Sequence, residues 1–276
     1  MTRHVPALVV GGGISGLVCA YALKKSGIEV MLVEAAARPG GVIQSVRRDG
    51  YLLELGPQSF SGTSQLRSLC ADLGIADQLL EAPARAPRYV LVNGKLLAVP
   101  LGLPAFFTSS LVNGPTKWAL VRDIFGKTAP PEGDESVAAF VRRKFSDQLL
   151  DRLVGPFVSG VYAGDPEKLS LRSAFPQLHE AEKASGSIVR GMMRLAKNKK
   201  GQRERPTLNT FREGNETLVR VLANQLGSAL CCDVRMTGLE QDGAGSSPHG
   251  PRFVVELKSG LGHETIVADW LILAIP

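Results

Sequence analysis

At 276 residues, 44% hydrophobic and 21% charged, the chain has the balance of a globular protein of one large or two ordinary domains, which excludes a fibrous or wholly disordered class. The net charge of +6 would suit an anionic partner, but much of the excess collects in one run, Lys197, Lys199, Lys200, Arg203 and Arg205. No aromatic residue interleaves that run, so it reads as a solvated loop and not as a nucleic-acid surface.

Met1 to His4 and the apolar stretch behind them resemble a signal peptide, but Gly11, Gly12, Gly13 and Gly16 interrupt it, and four glycines are costly inside a helix. Pro6–Val10 is instead a short strand, Ser15–Ser26 a helix ended by Gly27, and Glu29–Glu34 a second apolar strand, together one βαβ unit. Gln65–Leu73 is an amphipathic helix with Leu66, Leu69, Cys70 and Leu73 on one face. Arg88–Val92 and Lys95–Val99 flank Asn93-Gly94, the signature of a hairpin with a type I′ turn. From Pro100 to Asn198 strand signals vanish and helical patterns recur, as in Ser136–Phe145, with Ser136 as cap, and Asp147–Phe157. Leu208–Phe211, Leu218–Leu226, Val234–Glu240, Phe253–Leu257 and Ile266–Ile275 then restore α/β character around a polar turn at 242–251. No stretch reaches the roughly 18 apolar residues of a spanning helix, and no internal repeat is present.

Cys19, Cys70, Cys231 and Cys232 lack C-x-x-C spacing, and His4, His179, His249 and His263 are scattered and solvated, so no metal site is expected. Cys19 and Cys70 read as small core residues, and Cys231 and Cys232 as opposite faces of one strand. The cysteine usage fits a reducing cytoplasm.

The chemistry concentrates in Gly11-x-Gly13-x-x-Gly16, with Gly12, Ile14 and Ser15 between the glycines and Glu34 and Ala35 at the end of the next strand. The first glycine permits the tight turn, the second lets a diphosphate approach the backbone, and the third lets helix and strand pack closely. The helix N-terminus offers free N–H groups to phosphates, and Glu34 can accept from ribose hydroxyls while repelling a 2′-phosphate. The unit by itself does not separate FAD from NAD.

Arg38-Pro39-Gly40-Gly41-Val42 and Glu54-Leu55-Gly56-Pro57 follow at the spacing seen in flavin proteins, and here the sequence resembles the flavin-containing amine oxidase and protoporphyrinogen oxidase superfamily. Leu53–Pro57, Arg88-Tyr89-Val90, Gly160–Asp165, Leu169–Pro176, Thr210–Leu218 and Leu271–Pro276 resemble its porphyrinogen-oxidising branch more than monoamine oxidase. The resemblance implies an α/β Rossmann-like FAD-binding domain over 1–86 and 205–276, with a mainly helical substrate and membrane-associating insertion over 87–204. It implies that Arg38, Gly40, Gly41 and Val42 meet the pyrophosphate and that Gly56, Pro57, Gln58 and Ser59 pass beside the isoalloxazine ring. Met236 stands where relatives place a valine against the adenine. Arg88 matches an arginine that pairs with a substrate propionate, and Gly160 a stretch lining the substrate pocket.

The implied activity is FAD-dependent oxidation of protoporphyrinogen or coproporphyrinogen to the porphyrin, with oxygen as acceptor, in haem synthesis. The implied setting is the cytoplasm. Peripheral contact at the inner face of the cell membrane, through Leu101–Val112 with Phe106 and Phe107, and a homodimer are left open. Family members continue for about a further domain, so the chain is expected to be a C-terminally truncated piece. Two alternatives stand beside this reading: another superfamily enzyme, such as an amine oxidase or carotenoid desaturase, or a flavin-free fragment or binding module.

Overall fold

The computed structural model describes residues 2–83, 86–198, 207–241 and 252–276. In chain order the elements are β1 (Thr2–Val10), α1 (Ile14–Lys25), β2 (Val30–Val33), β3 (Ser45–Arg48), β4 (Tyr51–Glu54), β5 (Phe60–Gly62), α2 (Ser64–Asp72), β6 (Leu79–Glu81), β7 (Tyr89–Val92) and β8 (Lys95–Ala98). Helices follow: α3 (Leu103–Thr108), α4 (Gly114–Phe125), α5 (Val137–Lys144), α6 (Asp147–Leu149), α7 (Gly155–Tyr162), α8 (Leu171–Ala174), α9 (Pro176–Ser185) and α10 (Ile188–Asn198). The chain closes with β9 (Thr207–Phe211), α11 (Glu216–Leu226), β10 (Leu230–Cys231), β11 (Arg235–Gln241), β12 (Phe253–Ser259) and β13 (Gly262–Leu273). These form two compact units, Met1–Ala84 with Glu204–Pro276, and Arg85–Arg203.

The first unit is a mixed α/β fold on a six-stranded sheet of order β10-β2-β1-β13-β12-β11. Its first four strands pair in parallel, and β12 pairs antiparallel with β13 on one side and β11 on the other. All four residues of β2 are buried, as a strand covered on both faces requires. Ala7, Val9 and Leu32 join Leu17 and Ala20 of α1 and Leu218, Leu222 and Leu226 of α11 in one core. Leu8, Val10, Met31 and Val33 point the other way, into a second core with Val255, Leu257, Ile266 and Ala268.

Several boundaries move. β1 begins at Thr2, because Thr2 to Val5 pair with Thr265 to Ala268 of β13, partners that no local pattern reveals. Cys232 lies beyond β10 and outside any strand, so the two adjacent cysteines do not share one, while Cys70 is core and Cys19 packs against it. His4 is bonded to Asp269 at 3.1 Å, and His179 is half-buried. His249, Lys199–Arg205 and the turn at 242–251 lie outside the described residues. The hairpin β3–β4 and the short strands β5 and β6, which flank the expected strand β9 in a three-stranded sheet, went unseen in the sequence, since such short strands carry too little alternation to register.

In the second unit the hairpin β7–β8 turns on Asn93 (φ 49°) and Gly94 (φ 74°), both left-handed as a type I′ turn demands. Val112, Val137, Phe140, Val141, Leu149, Val158 and Leu171 form the core of the helices. The Ser136 hydroxyl accepts from the Ala139 amide at 3.1 Å and caps α5. We expect Ser136→Ala to cost about 1 kcal/mol in a denaturant titration. Between α6 and α7 the helix widens to π geometry over Leu150–Val154. Pro156 explains this, because it lacks an N–H for the Arg152 carbonyl and its ring would press on that oxygen.

Leu101–Val112 is part exposed and part buried. Leu101, Leu103 and Phe107 are exposed, whereas Leu111 and Val112 are buried and Phe106 packs on the core. Among the described residues no helix is long and apolar enough to cross a membrane.

The same unit buries an ionic network. Lys144, 4% exposed, lies 2.6 Å from Asp123 and 3.4 Å from Glu182, and donates to the Thr128 hydroxyl at 2.7 Å. Glu182 also takes a forked pair from Arg143 at 2.8 and 2.9 Å. Asp123 accepts from the Ser187 hydroxyl and the Val189 amide. The network ties together α4, α5, α9 and the start of α10.

Candidate functional site

β1, β2 and β13 end level, with Val10 in register with Val33 on one side and Leu273 on the other. Crevices for ligands form at such carboxyl ends of parallel strands. A cavity of about 710 Å³ opens there, lined by the three strand ends together with Gly11, Gly13, Ser15, Glu34, Ala35, Gly41, Val42, Val234, Met236 and Ala274 to Pro276.

Helix α1 starts at the wall of this cavity. Its N-cap, Gly13, supplies no side-chain cap, so the opening amides of the helix are not satisfied by a side chain. Two glycines do different work. A Cβ on Gly16 would sit 1.9 Å from the Gly11 carbonyl oxygen, so the turn closes only with glycine there. A Cβ on Gly13 would meet nothing within 4 Å, so the bare backbone there is open to a bound group. Gly12 is buried behind the turn, and Ile14 packs into the core.

Glu34 faces the opening. One carboxylate oxygen accepts from the Gly12 amide at 2.6 Å and the other from the Ala36 amide at 2.8 Å. Two backbone donors thus hold the carboxylate at the rim, and each oxygen keeps a lone pair for a hydroxyl.

The Arg38–Val42 loop reaches the same place through the Gly40 amide, which donates to the Gly12 carbonyl at 2.7 Å and brings Gly41 and Val42 to the cavity wall. Arg38 is turned on its own loop. It donates to the carbonyls of Pro39, Ile43 and Gly41 and to the Gln44 side chain, at 2.9 to 3.3 Å. In this conformation the guanidinium shapes the glycine pair and does not line the cavity. Gly56 packs under Val42, where a Cβ would lie 1.9 Å from the Val42 carbonyl oxygen. Pro57, Gln58 and Ser59 are exposed and stand outside the lining.

The sequence reading missed the far wall, Val234 and Leu273 to Pro276. The Ala274 amide donates to the Val10 carbonyl at 2.8 Å. The available signal was the apolar strand ending in Ala-Ile-Pro, which could have been paired beside β1.

Arg88 and Gly160 belong to the second unit. Arg88 lines a separate cavity of about 730 Å³, whose walls are Tyr89, Val90, Leu91 and Val99 from the hairpin and Leu153, Val154, Pro156 and Phe157 from the widened helix. The walls are almost wholly apolar, and among the described residues Arg88 brings the only full charge in the lining. Gly160 lies inside α7, exposed and outside that lining, and the helix ends on Ala163 in the left-handed region (φ 48°). Among the described residues no group of three His, Cys, Asp or Glu side chains could hold a metal ion.

The flavin containing amine oxidoreductase family matches residues 14–276. The chain belongs to that family. Protoporphyrinogen oxidase of the tobacco chloroplast (Nicotiana tabacum) is 36% identical across 93% of this chain and 50% of its own length. Coproporphyrinogen III oxidase of Bacillus subtilis is 32% identical across 99% of this chain and 60% of its own. The chain therefore spans about half the length of the curated relatives it matches. A crystal structure from Exiguobacterium sp. 255-15, of a protein assigned as a protoporphyrinogen oxidase, superposes with TM-score 0.75 at 24% identity, covering 99% of this chain and 59% of that one. Like the structures it resembles, the chain carries a mixed α/β fold with the parallel β10-β2-β1-β13 core.

Proposed function

We propose that the chain binds the ADP part of FAD in the β1–α1 cavity and serves the oxidation of a porphyrinogen to its porphyrin. The observation that carries the reading is the pairing of an uncapped helix mouth at Gly13 with a carboxylate held at the rim by the Gly12 and Ala36 amides. The residues fit the group. The α1 amides and the glycine pair of the Arg38 loop suit a diphosphate, Glu34 suits a ribose diol, and Val234 and Met236 suit an adenine. Bound there, FAD supplies the two-electron acceptor for the substrate, with oxygen as final oxidant.

The protein's own part is to bind, orient and keep water out. The apolar cavity in the second unit suits a flat macrocycle, and Arg88 beside it suits a carboxylate tail, which a guanidinium can grip through both oxygens. The similarity to protoporphyrinogen and coproporphyrinogen oxidases supports that substrate class.

The test is porphyrin fluorescence from the full gene product, loaded with FAD, offered protoporphyrinogen, coproporphyrinogen and a primary amine in parallel. One porphyrinogen is expected to be oxidised well above its spontaneous rate. Arg88→Ala is expected to raise KM for it about tenfold with kcat little changed, the mark of lost uniform binding. Turnover of the amine with neither porphyrinogen oxidised overturns the reading.

A further inference from the structure

We propose that Asn215 and Glu216, at the start of α11, are positioning residues for the cofactor cavity, acting through the β3–β4 hairpin and the segment that follows it. The inference rests on the FAD reading above.

An asparagine just before a helix ordinarily turns its side chain back to cap the first free amides. Asn215 does not. It is 4% exposed, α11 has no side-chain cap, and both ends of the Asn215 amide are spent elsewhere. Its oxygen accepts from the Thr210 hydroxyl at 3.0 Å, and its nitrogen donates to the Pro57 carbonyl at 2.7 Å. The backbone joins in, with the Asn215 amide donating to Glu54 at 2.8 Å. Glu216 reaches outward too, accepting from the Ser45 amide at 3.0 Å while its own amide donates to the Ser45 hydroxyl at 3.0 Å. That hydroxyl closes the circuit on Glu54 at 2.8 Å. Gly214 fits beneath because a Cβ there would strike Ser45 at 2.5 Å.

The far side of this knot is the cavity. Pro57 follows Gly56, whose backbone is packed against Val42, and the Leu55 amide bonds the Gln44 carbonyl at 2.9 Å. Val42 and Gly41 line the cavity, and a Cβ on Gly41 would lie 3.5 Å from the Gly13 Cα. A continuous run of hydrogen bonds and close contacts therefore leads from Asn215 and Glu216 to the glycine pair opposite the helix mouth. Neither residue touches the cavity itself, so their effect is to hold the wall where a ligand can use it.

The experiment measures the FAD dissociation constant by flavin fluorescence, alongside the Tm of the FAD-free chain. It compares wild type, Asn215→Ala, Glu216→Ala, Glu216→Gln and a core control, Leu226→Ala, at the other end of α11. The alanine variants at 215 and 216 are expected to weaken FAD binding about tenfold. Glu216→Gln, which keeps an oxygen for the Ser45 amide, stays within about twofold of wild type, and so does the control despite its lower Tm. Wild-type affinity in both alanine variants, or a control that weakens FAD as much as they do, overturns the positioning role. Absence of saturable FAD binding by wild type sinks the cofactor reading instead.

Discussion

Gly13→Asp is expected to abolish FAD binding while leaving the fold intact. Apart from the chain neighbours, no atom of the described residues lies within 4 Å of the position a Cβ would take there, and the backbone is at an ordinary extended geometry (φ −65°). Aspartate is also at least as good an N-cap as glycine, so the Tm of the ligand-free chain should hold or rise slightly. The new carboxylate would stand where the diphosphate is to sit. Two like charges about 4 Å apart at an effective dielectric of about 20 repel by roughly 4 kcal/mol, or about three powers of ten in affinity. Gly16→Ala is the contrasting case, because its Cβ would strike the Gly11 carbonyl oxygen and the turn itself must give way. Binding lost with the fold kept in the first, and fold lost in the second, separates the two jobs that one glycine motif performs. Thermal melts with and without FAD read both.

Lys144→Met is expected to cost the second unit about 3–5 kcal/mol, the usual result of removing one member of a buried charge network. The lysine neutralises Asp123 and Glu182 where water does not reach, and methionine matches its length without its charge. Acid should expose the same dependence. Burial by itself would push the Glu182 carboxyl up, but hydrogen bonds from Arg143 and Thr128 and the charges of Lys144 and Arg143 outweigh it and bring it down to about 2 from 4.5. A carboxylate depressed in the folded state gives its full stabilisation above its unfolded value, near 4.5, and loses it as pH falls toward 2. The unit should therefore weaken steadily across that window, and Lys144→Met, which starts from a lower stability, should reach its acid midpoint at higher pH. Trp118 lies on α4, the helix that carries Asp123, while the other tryptophan, Trp270, is in the first unit. In a Trp270→Phe background, Trp118 fluorescence during denaturant titrations at several pH values reports the second unit alone. An acid midpoint insensitive to the Lys144 change would contradict the account.

How far the sequence led depends on the range of the interactions involved. The β1–α1–β2 unit was legible because its cues are local: a glycine turn, an apolar run, and an acid at the end of the next strand. The Asn93-Gly94 hairpin and the Ser136 cap were legible for the same reason. What escaped was set by distant partners. The extension of β1 to Thr2 depends on pairing with β13 more than 260 residues later. The cavity wall at Leu273–Pro276 depends on that same pairing. Arg38 is a different case, a charge placed beside two glycines by local cues, and its donors go to carbonyls of that same loop. Asn215 and Glu216 precede the helix expected over Leu218–Leu226, and nothing in their spacing announces Ser45 or Pro57. The buried network around Lys144 was invisible for a related reason, since its hydrogen-bonded members come from segments up to 66 residues apart.

Amide chemical shifts of the ¹⁵N-labelled chain, followed as ADP is added, test the central claim most directly. Saturable shifts are expected, concentrated at the amides of Gly12, Gly13, Ile14 and Ser15 and at Ala35 and Gly41, all of them absent in Gly13→Asp. Saturating ADP that leaves those amides unmoved, or that shifts a different surface while they stay still, would contradict that claim.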